Sequence, residues 1–202
     1  MIWASALAAA GFLAGAIALF SVGTKGAAIS SLALGLGMGG VASLSAGPAG
    51  FGCLAGVGAV TATLTVLGGR LRPLDVSDTL LGAGLPSRKP RVFGERSLRA
   101  LLGAAGLFTA RLLSGHLAAG TVTTQGPGFA CLFVFEVGLI RVGTGRGPAE
   151  LGQGGLCAGM GAAAFLLLSA PGTSLTTAVL AVGVPALVLV ALVRATPWET
   201  AG

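Results

Sequence analysis

Residues 26–69 read GAAISSLALGLGMGGVASLSAGPAGFGCLAGVGAVTATLTVLGG, a stretch of 44 residues without one Asp, Glu, Lys, Arg or His. A helix rises about 1.5 Å per residue, so this length is enough to cross about 30 Å of hydrocarbon twice. The cluster Ser45-Ala-Gly-Pro-Ala-Gly50 in its middle is rich in helix breakers and divides it into spans at 27–45 and 51–69. Working outward, Met1–Gly23 and Leu151–Val193 are equally free of charge. These runs predict an all-α, polytopic membrane protein.

The whole chain agrees with that reading. Of its 202 residues 54% are apolar and 9% charged, against about 25% charged in ordinary soluble domains, and mean hydropathy is +0.94. A net charge of +6 would suggest nucleic acid in a soluble chain. Here the basic residues flank apolar runs without interleaved aromatics, so no nucleic-acid partner is expected. Cys53, Cys131 and Cys157 are far apart in apolar segments, which gives neither a disulfide framework nor metal-ligand spacing. No metal or cofactor is expected. The amino-terminal run lacks the basic n-region of a secretory signal and reads as a span.

Breaks at Gly/Pro clusters and charges give about seven transmembrane helices, near 2–22, 27–45, 51–69, 99–119, 127–141, 155–170 and 175–193. They fall into a three-helix part (1–69), a basic cytoplasmic loop (70–98) and a four-helix part (99–202). Lys25, Arg70, Arg72, Arg88, Lys89, Arg91, Arg96, Arg99, Arg141, Arg146 and Arg194 occupy one set of connections, whereas 45–50, 120–126 and 170–174 carry no charge. The alternation places the amino terminus outside and the carboxyl terminus in the cytoplasm of a cell membrane. Gly126, Pro127 and Gly128 shorten the fifth span and predict an irregular outer end. Small-xxx-small pairs at Gly11/Gly15, Gly35/Gly39, Gly52/Gly56 and Gly155/Gly159 suit close helix packing in lipid. In the loop, Arg88, Lys89 and Arg91 are candidates for binding anionic lipid headgroups.

Ionisable groups inside spans are costly, which makes them functional candidates. Arg111 and His116 lie in the fourth span and Glu136 in the fifth. Their spacing from the span ends allows Arg111 and Glu136 to pair across adjacent antiparallel helices. Glu136 and Arg111, with His116 toward the outer surface, are the proton-path candidates. No HExxH, GxSxG or Walker loop is present, so no enzymatic activity is expected.

The stretch Leu112-Leu-Ser-Gly-His-Leu-Ala-Ala-Gly120, followed by Gly126-Pro-Gly-Phe129, resembles the small B-type subunit of Mrp-type multisubunit cation/proton antiporters, which is related to subunits of membrane-bound hydrogenases. That family has a Gly-His near the outer end of its first helix, then a Pro and glycines closing on Phe. Gly115, His116, Gly126, Gly128 and Phe129 are the matching positions. The three-span part is similar to the small domain that often precedes this subunit, through Gly47-Pro48 and the Gly/Ala/Thr-rich third span. The resemblance implies an integral membrane subunit of an ion-translocating complex, with the lipid bilayer and other membrane subunits as partners. A free-standing solute transporter or channel, and a structural membrane protein without transport, are the alternatives. The layout predicts that cysteines replacing Arg88 and Thr123 react with impermeant thiol reagents from opposite compartments; labelling of both from one side would overturn it.

Overall fold

The computed structural model describes residues 2–70, 92–117, 122–145, 148–169 and 175–195, and these are helical almost throughout. The helices are α1 (Ile2–Phe20), α2 (Gly23–Arg70), α3 (Val92–Leu117), α4 (Val122–Thr144), α5 (Pro148–Ser169) and α6 (Leu175–Ala195). Among the described residues, four helical stretches are long and apolar enough to cross a membrane: Ile2–Phe20, Lys25–Leu67, Gln125–Thr144 and Glu150–Ser169. A shorter apolar helix covers Thr176–Ala191.

The second and third expected spans are joined in α2, whose backbone leaves helical geometry at Gly47 (φ 61°, ψ −154°). Two local causes coincide there. A positive φ is open to glycine at little steric cost, and the ring of Pro48 disfavours helical backbone in the residue before it. The two arms then run back against each other. A Cβ added at Gly35 would lie 2.8 Å from the Cα of Gly58, and one at Gly39 would lie 3.0 Å from the carbonyl oxygen of Phe51. In a straight helix residues 35 and 58 would be about 35 Å apart, so the contact defines a hairpin.

Glycine contacts bring the other helices together as well. Gly11 faces Met38 and Gly15 faces Phe133 and Val134, seating α1 between α2 and α4. Gly138 and Gly161 let α4 and α5 touch backbone to backbone, at Ala158 and at Cys131 and Phe135 respectively. Gly159 receives the carbonyl of Ala181 and the ring of Pro185, so the proline inside α6 fills a notch in α5. Of the four small-residue pairs, only Gly52/Gly56 meets nothing within 4 Å.

α5 packs on α2, α4 and α6, and α4 also on α1 and α3. Phe12, Phe129 and Phe133 form an aromatic cluster between α1 and α4, with the Phe12 and Phe133 centroids 4.7 Å apart. Leu13, Ile29, Leu101, Phe108, Leu180 and Leu187 face outward while Ser30, Ser31, Thr65, Ser114 and Gln153 are buried. Such an inside-out distribution suits an apolar surrounding and is foreign to soluble monomers.

Three helix starts differ from expectation, α5 among them, which begins at Pro148 rather than near 155. α4 runs unbroken through Pro127, because a proline this near the amino end withdraws only one backbone donor from the ladder. Its 23 residues span about 35 Å, so the helix is not short. α3 begins at Val92 rather than near Arg99, so the expected loop gives up its last residues to the helix. Replacing Gly58 by Ala drives a methyl group to 2.6 Å from the Gly35 Cα. We expect it to cost about 1–3 kcal/mol in thermal unfolding of the detergent-solubilised protein. Gly56→Ala, which points into open space, should change stability by no more than about 0.5 kcal/mol.

Candidate functional site

Polar side chains inside the bundle gather in two places. The first is the seam between α3 and α4. On α3, Gly106 leaves a hollow one turn wide, and the Glu136 carboxylate of α4 fills it: Oε2 lies 2.9 Å from where a Gly106 Cβ would be. Thr109 Oγ1, on the next turn, donates to the carboxylate at 2.7 Å. Glu136 is half-buried. A carboxylate with one hydroxyl donor beside it, among apolar helices, is a group that can take up and release a proton.

The expected partner of Glu136 is elsewhere. Arg111 lies two residues beyond Thr109, about 200° around the helix, and its side chain is exposed. Among the described residues no hydrogen bond or ion pair joins it to Glu136. The expectation considered depth along the helices and neglected rotation about them. His116 is likewise exposed near the end of α3, and Gly115 beside it meets nothing within 4 Å. Of the other glycine-motif positions, Gly126 approaches Ala8, Gly128 is buried without a close neighbour at its missing Cβ, and Phe129 stacks with Phe12 at 6.1 Å. Arg88, Lys89 and Arg91 lie outside the described residues.

The second place lies about 7.5 Å farther along α4, at one end of the bundle, and no sequence motif marks it. Arg141, in the last turn of α4, is fully buried. Its Nη1 donates to the carbonyl oxygen of Ala18 and, at 2.7 Å, to Ser21 Oγ. Ser21 Oγ in turn donates to the Ala18 carbonyl at 3.0 Å and accepts from Gln153 Nε2 at 3.2 Å. The last carbonyls of α1 have no donor within their own helix, and the guanidinium supplies one together with a positive charge at the negative end of the dipole. Close enough in space to act on Arg141 through its charge, Arg99 Nη2 of α3 donates to Glu150 Oε2 of α5 at 2.6 Å, with the two side chains only 3% and 15% exposed. A carboxylate in the first turn of α5 also suits the positive end of that helix.

By sequence alone Arg99 and Arg141 are cations of the connections. A cue was present: Leu139-Ile140-Arg141-Val142 is an apolar run without turn residues. Gln153 and Ser21 carry no charge, so nothing in the sequence distinguished them from solvated ends.

Among the described residues no group of three or more His, Cys, Asp or Glu is placed to hold a metal. A groove of about 470 Å³ runs between the second arm of α2 and α6, lined by residues such as Cys53, Gly56, Thr61, Val179, Gly183 and Leu187. None of its lining residues belongs to either polar group. Comparison with known proteins finds no matching family, no matching curated protein and no matching solved structure.

Arg141→Met would leave the Ala18 carbonyl and Ser21 without their cationic donor. It should lower the stability of the solubilised protein by about 2–4 kcal/mol, on the scale of a broken buried network. Thermal unfolding followed by circular dichroism measures this, and a wild-type midpoint would rule out the capping role.

Proposed function

We propose that the chain is a multi-pass subunit of an ion-translocating membrane complex of the cation/proton antiporter kind, contributing helix packing and one protonatable station. The observation that carries this reading is Glu136, a carboxylate set between two apolar helices with Thr109 as hydroxyl partner and no counter-ion among the described residues. Intramembrane carboxylates are costly to keep and are the usual carriers of protons through helical bundles. The pattern Gly115-His116 followed by Gly126-Pro-Gly-Phe129 adds the antiporter-type assignment, with other membrane subunits as partners.

In this reading the α2 hairpin crosses the bilayer twice and each remaining helix once, which gives seven crossings with the amino terminus outside and the carboxyl terminus in the cytoplasm. What supports the arrangement is that the hydrogen bonds of Arg141 and Arg99 join the ends of α1, α3, α4 and α5 at one end of the bundle. Lys25 and Arg70 belong to that same end by sequence. Cations collected at one end are the mark of a cytoplasmic face. Arg88, Lys89 and Arg91 would there meet anionic headgroups.

The test is purification in mild detergent, identification of the accompanying subunits, and reconstitution of the assembly into liposomes. Glu136→Gln keeps the hydrogen-bonding shape and removes the titration. It should leave the fold and the accompanying subunits in place and reduce ion-driven proton flux to the level of protein-free liposomes. Undiminished flux would overturn the role of Glu136, and flux from the isolated chain would favour a free-standing transporter.

A further inference from the structure

α3 has two faces. Toward the bundle it presents Arg99, Gly103, Gly106, Ala110 and Ser114, all buried. On the opposite side Leu101, Ala105, Phe108, Leu112 and Gly115 are all exposed, at alternating intervals of four and three. Leu101 and Phe108 show 69% and 67% of their surface. An interval averaging 3.5 residues keeps one straight seam facing a neighbouring helix that crosses with left-handed twist. Small residues within it, Ala105 and Gly115, permit close approach.

Lipid alone does not account for this face, because Arg111 opens beside it. An arginine on the lipid side of a helix is costly. In every α-helix the Cα–Cβ bond tilts toward the amino end. For Arg111 that is away from the nearer helix end at Leu117 and toward the level of Thr109. The group able to receive it must therefore lie at about that depth.

Glu136 lies at that depth, since Thr109 bonds to it. Within one chain it is out of reach: relative to Ala110, Thr109 lies about 100° to one side and Arg111 about 100° to the other. A two-fold axis along the membrane normal changes this. It leaves every residue at its own depth and sets the Arg111 flank of one α3 beside the Thr109 flank of the other, as an isologous contact requires.

We propose that the exposed seam of α3 docks a second copy of this chain, with Arg111 of each copy paired to Glu136 of the other. The pairing supplies each intramembrane charge with a counter-ion that the described residues of a single chain do not provide. It stands apart from the transport reading, because a dimer forms whether or not protons move.

The experiment uses the full chain in lipid nanodiscs and in mild detergent, with Cys53 replaced by Ala; Cys131 and Cys157 are buried. On mild oxidation, Phe108→Cys and Leu112→Cys should give disulfide-linked dimers of this chain, and Leu180→Cys, equally exposed on α6, should not. Arg111→Glu should weaken self-association by about tenfold, the order of one strong interhelical polar contact in lipid. Adding Glu136→Arg to the same chain should restore it. Single-chain mass without cross-linking, cross-links to a different protein, or equal cross-linking at Leu180 and Phe108 would each overturn the docking. Unchanged association of Arg111→Glu would overturn the ion pair. The cross-linking pattern leaves both charges in place, so it decides the docking even where the charge swap misfolds.

Discussion

Contact between helix backbones, made where side chains are missing, is the constraint on which this bundle depends. In an apolar surrounding burial of apolar side chains gives little net driving force, and association rests on dispersion contacts and a few polar bonds. Gly35 against Gly58, Gly138 against Ala158 and Gly161 against Phe135 are contacts of this kind, closer than any side chain would allow. They fix the hairpin of α2 and the pairing of α4 with α5. The polar groups then find their partners on a frame already close-packed.

That frame separates two kinds of polar chemistry. At one end Arg141, Ser21 and Gln153 bind the last turn of α1, and Arg99 and Glu150 tie α3 to α5. These bonds join helix ends that carry complementary dipole charge, and they suit a structural role. Glu136 differs in kind: its partner is a neutral hydroxyl, and its carboxylate fills the space left by the missing side chain of Gly106. Within one chain the carboxylate is thus held by a neutral donor, with no cation joined to it among the described residues.

Much of the architecture was legible from charge-free runs and their breaks. The reversal at Gly47-Pro48 could be read because a glycine and a proline act locally, through φ and a missing donor. Helix starts were less legible: Val92 and Pro148 begin helices amid residues that favour loops, and the tie between them, from Arg99 two turns into α3 to Glu150 in the first turn of α5, is a tertiary contact. Glu136 and Arg111 stood out as charges in apolar runs, but their partners did not. Pairing depends on rotation about each helix axis, which a list of spans leaves open. Ser21, Gln153 and Gly106 matter through what they face across the bundle, and a single sequence carries no mark of that.

The reversal within α2 also bears on how the chain enters its membrane during synthesis. The tip between the two arms, from Ser45 to Gly50, holds no ionised group. Moving a Lys, Arg or Asp through the hydrocarbon centre costs about 2.5–3.5 kcal/mol on insertion scales, and this tip carries none. Each arm satisfies its backbone within its own helix, and the two arms already touch through Gly35 and Gly58. In the proposed seven-crossing arrangement, the nascent chain would hold a paired wedge able to partition from the translocation channel in one step and to offer the later helices a surface on which to settle.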